Sequence, residues 1–115
     1  MSNKKYFSKI NARKKALLEF KKRLTKVLGE EIFEIKLFGS AAKGNFKKDS
    51  DLDVLIVLKS LSKKKKDFIL TLSTEILLKY GVDISPRIYS KKEYLKEKNL
   101  PSIFMQILEK EAIPL

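Results

Sequence analysis

The chain has 115 residues with 26 Lys and Arg against 14 Asp and Glu, and contains neither cysteine nor histidine. That length suits one domain, residues 1–115, able to bury about two thirds of the surface its unfolded form exposes without a disulfide staple. The missing thiol and imidazole exclude thiolate nucleophiles, iron–sulfur ligation, the usual zinc sites and histidine bases, so any chemistry must run on carboxylates, hydroxyls, amines and bound hard cations.

The N-terminal stretch MSNKKYFSKINARKK is basic but lacks the apolar core of a signal peptide. No apolar run approaches the roughly 18 residues of a membrane span, so a cytoplasmic protein with no membrane partner is expected. From about Lys4 to Leu28, the residues Ile10, Leu17, Phe20, Leu24, Val27 and Leu28 recur at helical spacing between lysines and arginines, which predicts an amphipathic helix stopped by Gly29. Ile32 to Phe38 follows with Phe33, Ile35 and Leu37 on one side and Glu34 and Lys36 on the other, the alternation of a strand wetter on one face.

Gly39-Ser40 forms a small-residue turn, Ala41 to Asn45 suits one helical turn, and Phe46 to Ser50 is a polar loop. Leu52 to Leu58 is nearly all branched and apolar, which predicts a central strand buried on both faces. Asp51 and Asp53 project from one face of it, roughly 6 to 7 Å apart. Ser60 or Ser62 can cap the next helix, whose inward stripe is Ile69, Leu72, Ile76 and Tyr80 and whose stop is Gly81. Lys63 to Lys66 fall in its first turn, where the dipole disfavours cations; a solvated face is the simpler explanation and an anion-contacting patch the alternative.

Val82 to Tyr89 reads as a third strand with Asp83, Ser85 and Arg87 on one face, near an edge because Pro86 cannot donate to a ladder. Ser90 to Glu93 is a capping box opening a helix with Tyr94 and Leu95. A last helix from about Pro101 uses Ile103, Phe104, Ile107 and Leu108 and is closed by Pro114. The fold class is therefore α/β, a small mixed β-sheet flanked by helices.

Chemistry concentrates in FGSAAKGNFKKDSDLDVLIVL, Phe38 to Leu58. A glycine where strand meets helix lets backbone approach a phosphate, and the Ser40 hydroxyl can donate to its oxygens. Two carboxylates on alternate residues repel each other, and a hard divalent cation such as Mg²⁺ neutralises them while taking phosphate oxygens as further ligands. Two such cations can clamp the attacking and leaving oxygens of a phosphoryl displacement. An EF-hand would need glycine where Val54 stands and glutamate where Ser60 stands, and a P-loop would need glycine and lysine directly before the hydroxyl residue.

Gly39-Ser40, ten intervening residues and Asp51-x-Asp53 resemble the signature of the DNA polymerase beta-like nucleotidyltransferase superfamily. GSAAKG followed by SDLDVLIVL is similar to its minimal nucleotidyltransferase (MNT) branch. The resemblance implies transfer of an NMP group, AMP foremost, from ATP or another nucleoside triphosphate to an acceptor hydroxyl. Asp51 and Asp53 would be ligands of Mg²⁺ in a two-metal site, with Asp83 as the third catalytic carboxylate and ligand. Gly39 and Ser40 would hold the terminal phosphates, with Lys43 and Arg87 as further triphosphate contacts; relatives often carry arginine where Lys43 stands, and lysine lacks that planar fork. The implied partner is a HEPN-domain ribonuclease toxin, modified on a tyrosine by this chain as antitoxin. Neutralisation by association alone is the alternative, as is transfer to nucleic acid or a small molecule. The formal charge of +12 keeps nucleic acid possible but does not favour it, since a lysine-coated surface explains the charge equally well and no aromatic-basic interleaving or RRM signature is present.

Overall fold

A computed structural model of the chain describes residues 2–38, 51–99, 105–106 and 110–115, with side chains in the first helix from Asn11 onward. Helix α1, Ser2–Leu28, leads through a 3₁₀ turn, Gly29–Glu31, into strand β1, Ile32–Phe38. Strand β2, Leu52–Leu58, precedes helix α2, Lys63–Tyr80; strand β3, Ile84–Ser90, runs into helix α3, Lys91–Lys98; and a two-residue strand β4, Ile113–Pro114, follows. The sheet order is β3-β2-β1-β4, with β1 antiparallel to β2 and to β4, and β2 parallel to β3. The expected mixed α/β architecture is the one observed.

Strand β2 is central because its residues can be buried on both sides. Leu52, Val54, Ile56 and Leu58 join Ile35, Leu37 and Ile84 under α1 and α2, whose contributions include Ala16, Phe20, Leu24, Ile69, Leu72 and Ile76. Leu55 and Val57 face the other way and pack with Tyr94 of α3 and Met105. Every residue of β2 is buried except Asp53, which is half-buried. A carboxylate in the best-covered strand opposes folding unless something compensates its charge.

The helix boundaries follow their local chemistry. Ser62 caps α2 by accepting from the Lys65 amide at 3.2 Å, and Ser90 caps α3 by accepting from the Glu93 amide at 3.1 Å. Gly81 ends α2 at φ +67° and donates its amide to the Leu77 carbonyl. Among the described residues, no atom beyond the adjoining chain lies within 4 Å of where a Cβ on Gly81 would sit, so Gly81→Ala should cost only the left-handed backbone penalty. A loss of about 1 kcal/mol is expected, measured by urea denaturation, with an unchanged denaturant slope. The lysines at the start of α2 behave as a solvated face: Lys63, Lys64 and Lys66 are exposed. Lys65 turns back to donate to Glu31 Oε2 at 3.0 Å and to the Ser60 hydroxyl at 2.9 Å.

Helices α1 and α2 are also tied by side chains. Glu19 accepts from Lys79 Nζ at 2.6 Å and from the Tyr80 hydroxyl at 2.9 Å, and Arg23 pairs with Glu75. The Lys79 hydrogen bond, then that of Tyr80, holds the Glu19 carboxyl below its ordinary range, and Lys65 does the same for Glu31. A depressed carboxylate stabilises the fold above its unfolded pKa, and that contribution disappears as pH falls through the folded one. Glu19→Gln should therefore flatten the acid side of a plot of Tm against pH and, because Glu19 also holds Lys79 above its ordinary range, the strongly alkaline side too, with the slope near neutral pH unchanged.

Three expectations need correcting. The register shifts between Ile32 and Glu34, so Phe33 does not join Ile35 and Leu37 inside; it is exposed, with Lys91 Nζ 4.6 Å from its ring centre. A bulge of this kind breaks alternation, which no period-two pattern anticipates. Val82 and Asp83 precede β3 rather than forming its first residues. Pro114 does not close a helix but lies in β4, on an edge where its missing N–H is tolerated. The closing helix expected at Ile103, Phe104, Ile107 and Leu108 lies outside the described residues, as do the turn and loop over 39–50; Met105, Gln106, Lys110 and Glu111 are helical. Among the described residues, no helix is long and apolar enough to cross a membrane.

Candidate active site

The candidate residues lie where β2 and β3 begin side by side. Parallel pairing sets Leu52 against Ile84, Asp53 against Ser85 and Leu55 against Arg87. The Leu52 amide donates to the Asp83 carbonyl at 2.9 Å, which carries the pairing one residue ahead of β3. On the other side of β2, Phe38 pairs with Asp53. Since side chains alternate, Phe38, Asp53 and Ser85 form one row across the sheet, with Lys36, Leu55 and Arg87 in the next. This is the face that carries α3, opposite α1 and α2.

Asp51, Asp53 and Asp83 are thus brought to one end of one face. Burial first, then the charge of Asp51, holds the Asp53 carboxyl above its ordinary range, and Arg87 partly offsets this. Burial likewise raises Asp83, with the charge of Asp51 and a hydrogen bond to Asp51 adding to it. Asp51 is therefore the shared neighbour of the other two. Among the described residues, no three acidic side chains are drawn together closely enough to cage a metal ion.

The donor set fits a hard divalent cation. It is all oxygen, and it gathers negative charge that, among the described residues, Arg87 only partly offsets. Arg87 lies on the same face as Asp53, close enough to lower its pKa, so a cation stands beside this carboxylate. Gly39, Ser40 and Lys43 lie outside the described residues; the strand leading to them ends at Phe38, opposite Asp53.

Tyr89 and Glu97 were not among the sequence-based candidates. Tyr89 shares the face of Arg87, is half-buried, and is raised above its ordinary range by burial and by Glu97, with Arg87 acting the other way. The two-residue spacing from Arg87 could have flagged Tyr89. Glu97 becomes visible only when α3 is packed on the sheet.

The profile of the nucleotidyltransferase domain family matches residues 13–110, most of the chain. A protein of Methanocaldococcus jannaschii named "Putative protein adenylyltransferase MJ0604" is 36% identical over 99 residues, covering 86% of this chain and 94% of that protein. "Putative protein adenylyltransferase MJ0141" from the same organism is 40% identical over 74 residues, 64% of this chain and 75% of that one. Among solved structures, the chain superposes with a TM-score of 0.54 and 14% identity on a chain of a toxin–antitoxin crystal structure with AMP-PNP, covering 84% of this chain and 69% of that one. A mutant MntA-HpeT toxin–antitoxin structure gives a TM-score of 0.52 at 13% identity, covering 80% and 66%. At such identity these two likenesses establish the fold and nothing more. The family match and the near full-length relative go further: the chain belongs to the nucleotidyltransferase domain family.

Proposed function

We propose that this chain transfers AMP from ATP to the hydroxyl of a tyrosine on a partner HEPN-domain ribonuclease toxin, in the cytoplasm, and so acts as its antitoxin. The observation that carries the reading is the placement of Asp53 and Asp83 each beside Asp51, at the paired starts of β2 and β3. The adenylyltransferase names of two relatives support AMP as the group moved. The toxin partner rests on the resemblance of GSAAKG and SDLDVLIVL to the MNT branch, and two neighbours that share the fold were themselves solved as toxin–antitoxin assemblies.

In this reading Asp51 and Asp53 hold Mg²⁺, in a two-metal site that Asp83 completes. When bound, the metal neutralises charge on the phosphates and makes the α-phosphorus more electrophilic. The tyrosine oxygen attacks that phosphorus, the bond from phosphorus to the bridging oxygen breaks, and pyrophosphate leaves. The tyrosine proton passes to the Asp83 carboxylate, the acid that neighbours Asp51 at the start of β3. Gly39 and Ser40 hold the terminal phosphates, and Lys43 and Arg87 supply cations along the triphosphate.

The direct test is incubation of the purified chain with the protein encoded beside it, Mg²⁺ and ATP labelled on the α-phosphate. Label on a tyrosine of that protein, with loss of its ribonuclease activity, is the expected result. Neutralisation without label would instead assign the chain to inhibition by association. Label appearing on RNA or a small hydroxyl compound, but not on the protein, would overturn the acceptor.

A further inference from the structure

The outer flank of α1 carries a groove of about 340 Å³ lined by Lys14, Leu17, Leu18, Lys21 and Leu115. Leu18 is 67% exposed, although the helix buries Ala16, Phe20 and Leu24 beneath it. Its position on the helix is nearly opposite that core stripe, so folding the domain does not require an apolar residue there. The groove therefore has apolar walls, and among the described residues its charged lining side chains are two lysines.

Charge decides what can cover it. Helix α1 contains ten Lys and Arg residues and one acid, Glu19, and Glu19 is engaged by Lys79 and Tyr80. A second copy docked symmetrically would set lysines against the same lysines. A nucleic acid would meet Leu17, Leu18 and Leu115 where base recognition by single-strand binders needs aromatic platforms. A helix with a leucine-type ridge flanked by glutamates or aspartates satisfies both the walls and the rim.

We propose that this flank of α1 is a docking surface for an acidic amphipathic helix of a partner protein, with Leu18 as the apolar anchor and Lys14 and Lys21 as the charge clamps. The surface is on the side of the sheet away from Asp53. Docking there leaves the site open and does not depend on the transfer reaction, so the proposal stands apart from the adenylyl-transfer reading.

The test uses a fluorescent synthetic helix with leucines at every third and fourth position separated by glutamates, titrated with the full chain and followed by anisotropy. Wild type should bind it, and binding should weaken with ionic strength. Leu18→Asp, with unchanged circular dichroism, should lower affinity about tenfold or more. Lys14→Glu combined with Lys21→Glu should lose the glutamate peptide and gain its lysine counterpart. The proposal is overturned if wild type and Leu18→Asp bind alike or neither binds. It also fails if sedimentation shows a wild-type dimer that Leu18→Asp dissolves, or if an oligoadenylate binds in a Leu18-dependent way and the peptide does not.

Discussion

Replacing Asp53 by asparagine should abolish label transfer, by about a thousandfold or more, while raising the melting temperature of the metal-free protein. Losing a ligand and its charge removes several kcal/mol of stabilisation from a phosphoryl-transfer transition state, and each 1.4 kcal/mol is about tenfold in rate. The stability effect has the opposite sign for a definite reason. Burial and the charge of Asp51 push the Asp53 pKa up in the folded state. The unfolded carboxyl therefore ionises first as pH rises, and above the folded pKa the native state carries a charge it disfavours. Asparagine keeps the shape and removes that charge, so the gain in melting temperature should be present at neutral pH and vanish as pH falls below the ordinary aspartate range. Addition of Mg²⁺ should raise the melting temperature of wild type and leave Asp53→Asn nearly unmoved. Thermal scans read this without any activity assay, and a variant less stable than wild type under metal-free conditions would contradict the charge argument.

Ile56→Ala should strongly destabilise the sheet. Ile56 is fully buried in the centre of β2, between the paired positions Ile35 on β1 and Ile88 on β3. Truncation deletes transfer free energy and leaves a cavity that three strands and two helices cannot all close, for a loss of about 2–5 kcal/mol. For a domain with an ordinary total stability of about 5–15 kcal/mol, that is a large share. Urea denaturation followed by circular dichroism measures it, and a loss under about 1 kcal/mol would mean the strand is not at the centre of the fold.

The sequence was most legible where one constraint dominated. A run of branched residues from Leu52 to Leu58 has nowhere to go but the middle of a sheet, and it is there. Ser62, Gly81 and Ser90 mark helix ends through their own side chain or backbone freedom, so they can be read locally. Phe33 and Pro114 were misjudged because their places depend on a bulge and on a pairing across the chain, neither of which leaves a local periodic trace. The candidate site was legible to the same extent. The spacing of Asp51 and Asp53 puts both on one face by alternation alone, whereas the approach of Asp83 to Asp51 needs the parallel register of β2 and β3. Glu97 shows the limit, since only the packing of α3 brings it to Tyr89.

In the proposed function Asp51, Asp53 and Asp83 form one cation-binding corner at the paired strand starts. A crystal structure with Mn²⁺ and a non-hydrolysable ATP analogue, read by anomalous scattering, tests it most directly. The account predicts an anomalous peak at about 2.0–2.3 Å from carboxylate oxygens of both Asp51 and Asp53, with the α-phosphate on the side facing Asp83. A peak bound by other residues, or a nucleotide seated on the face covered by α1 and α2, would contradict it.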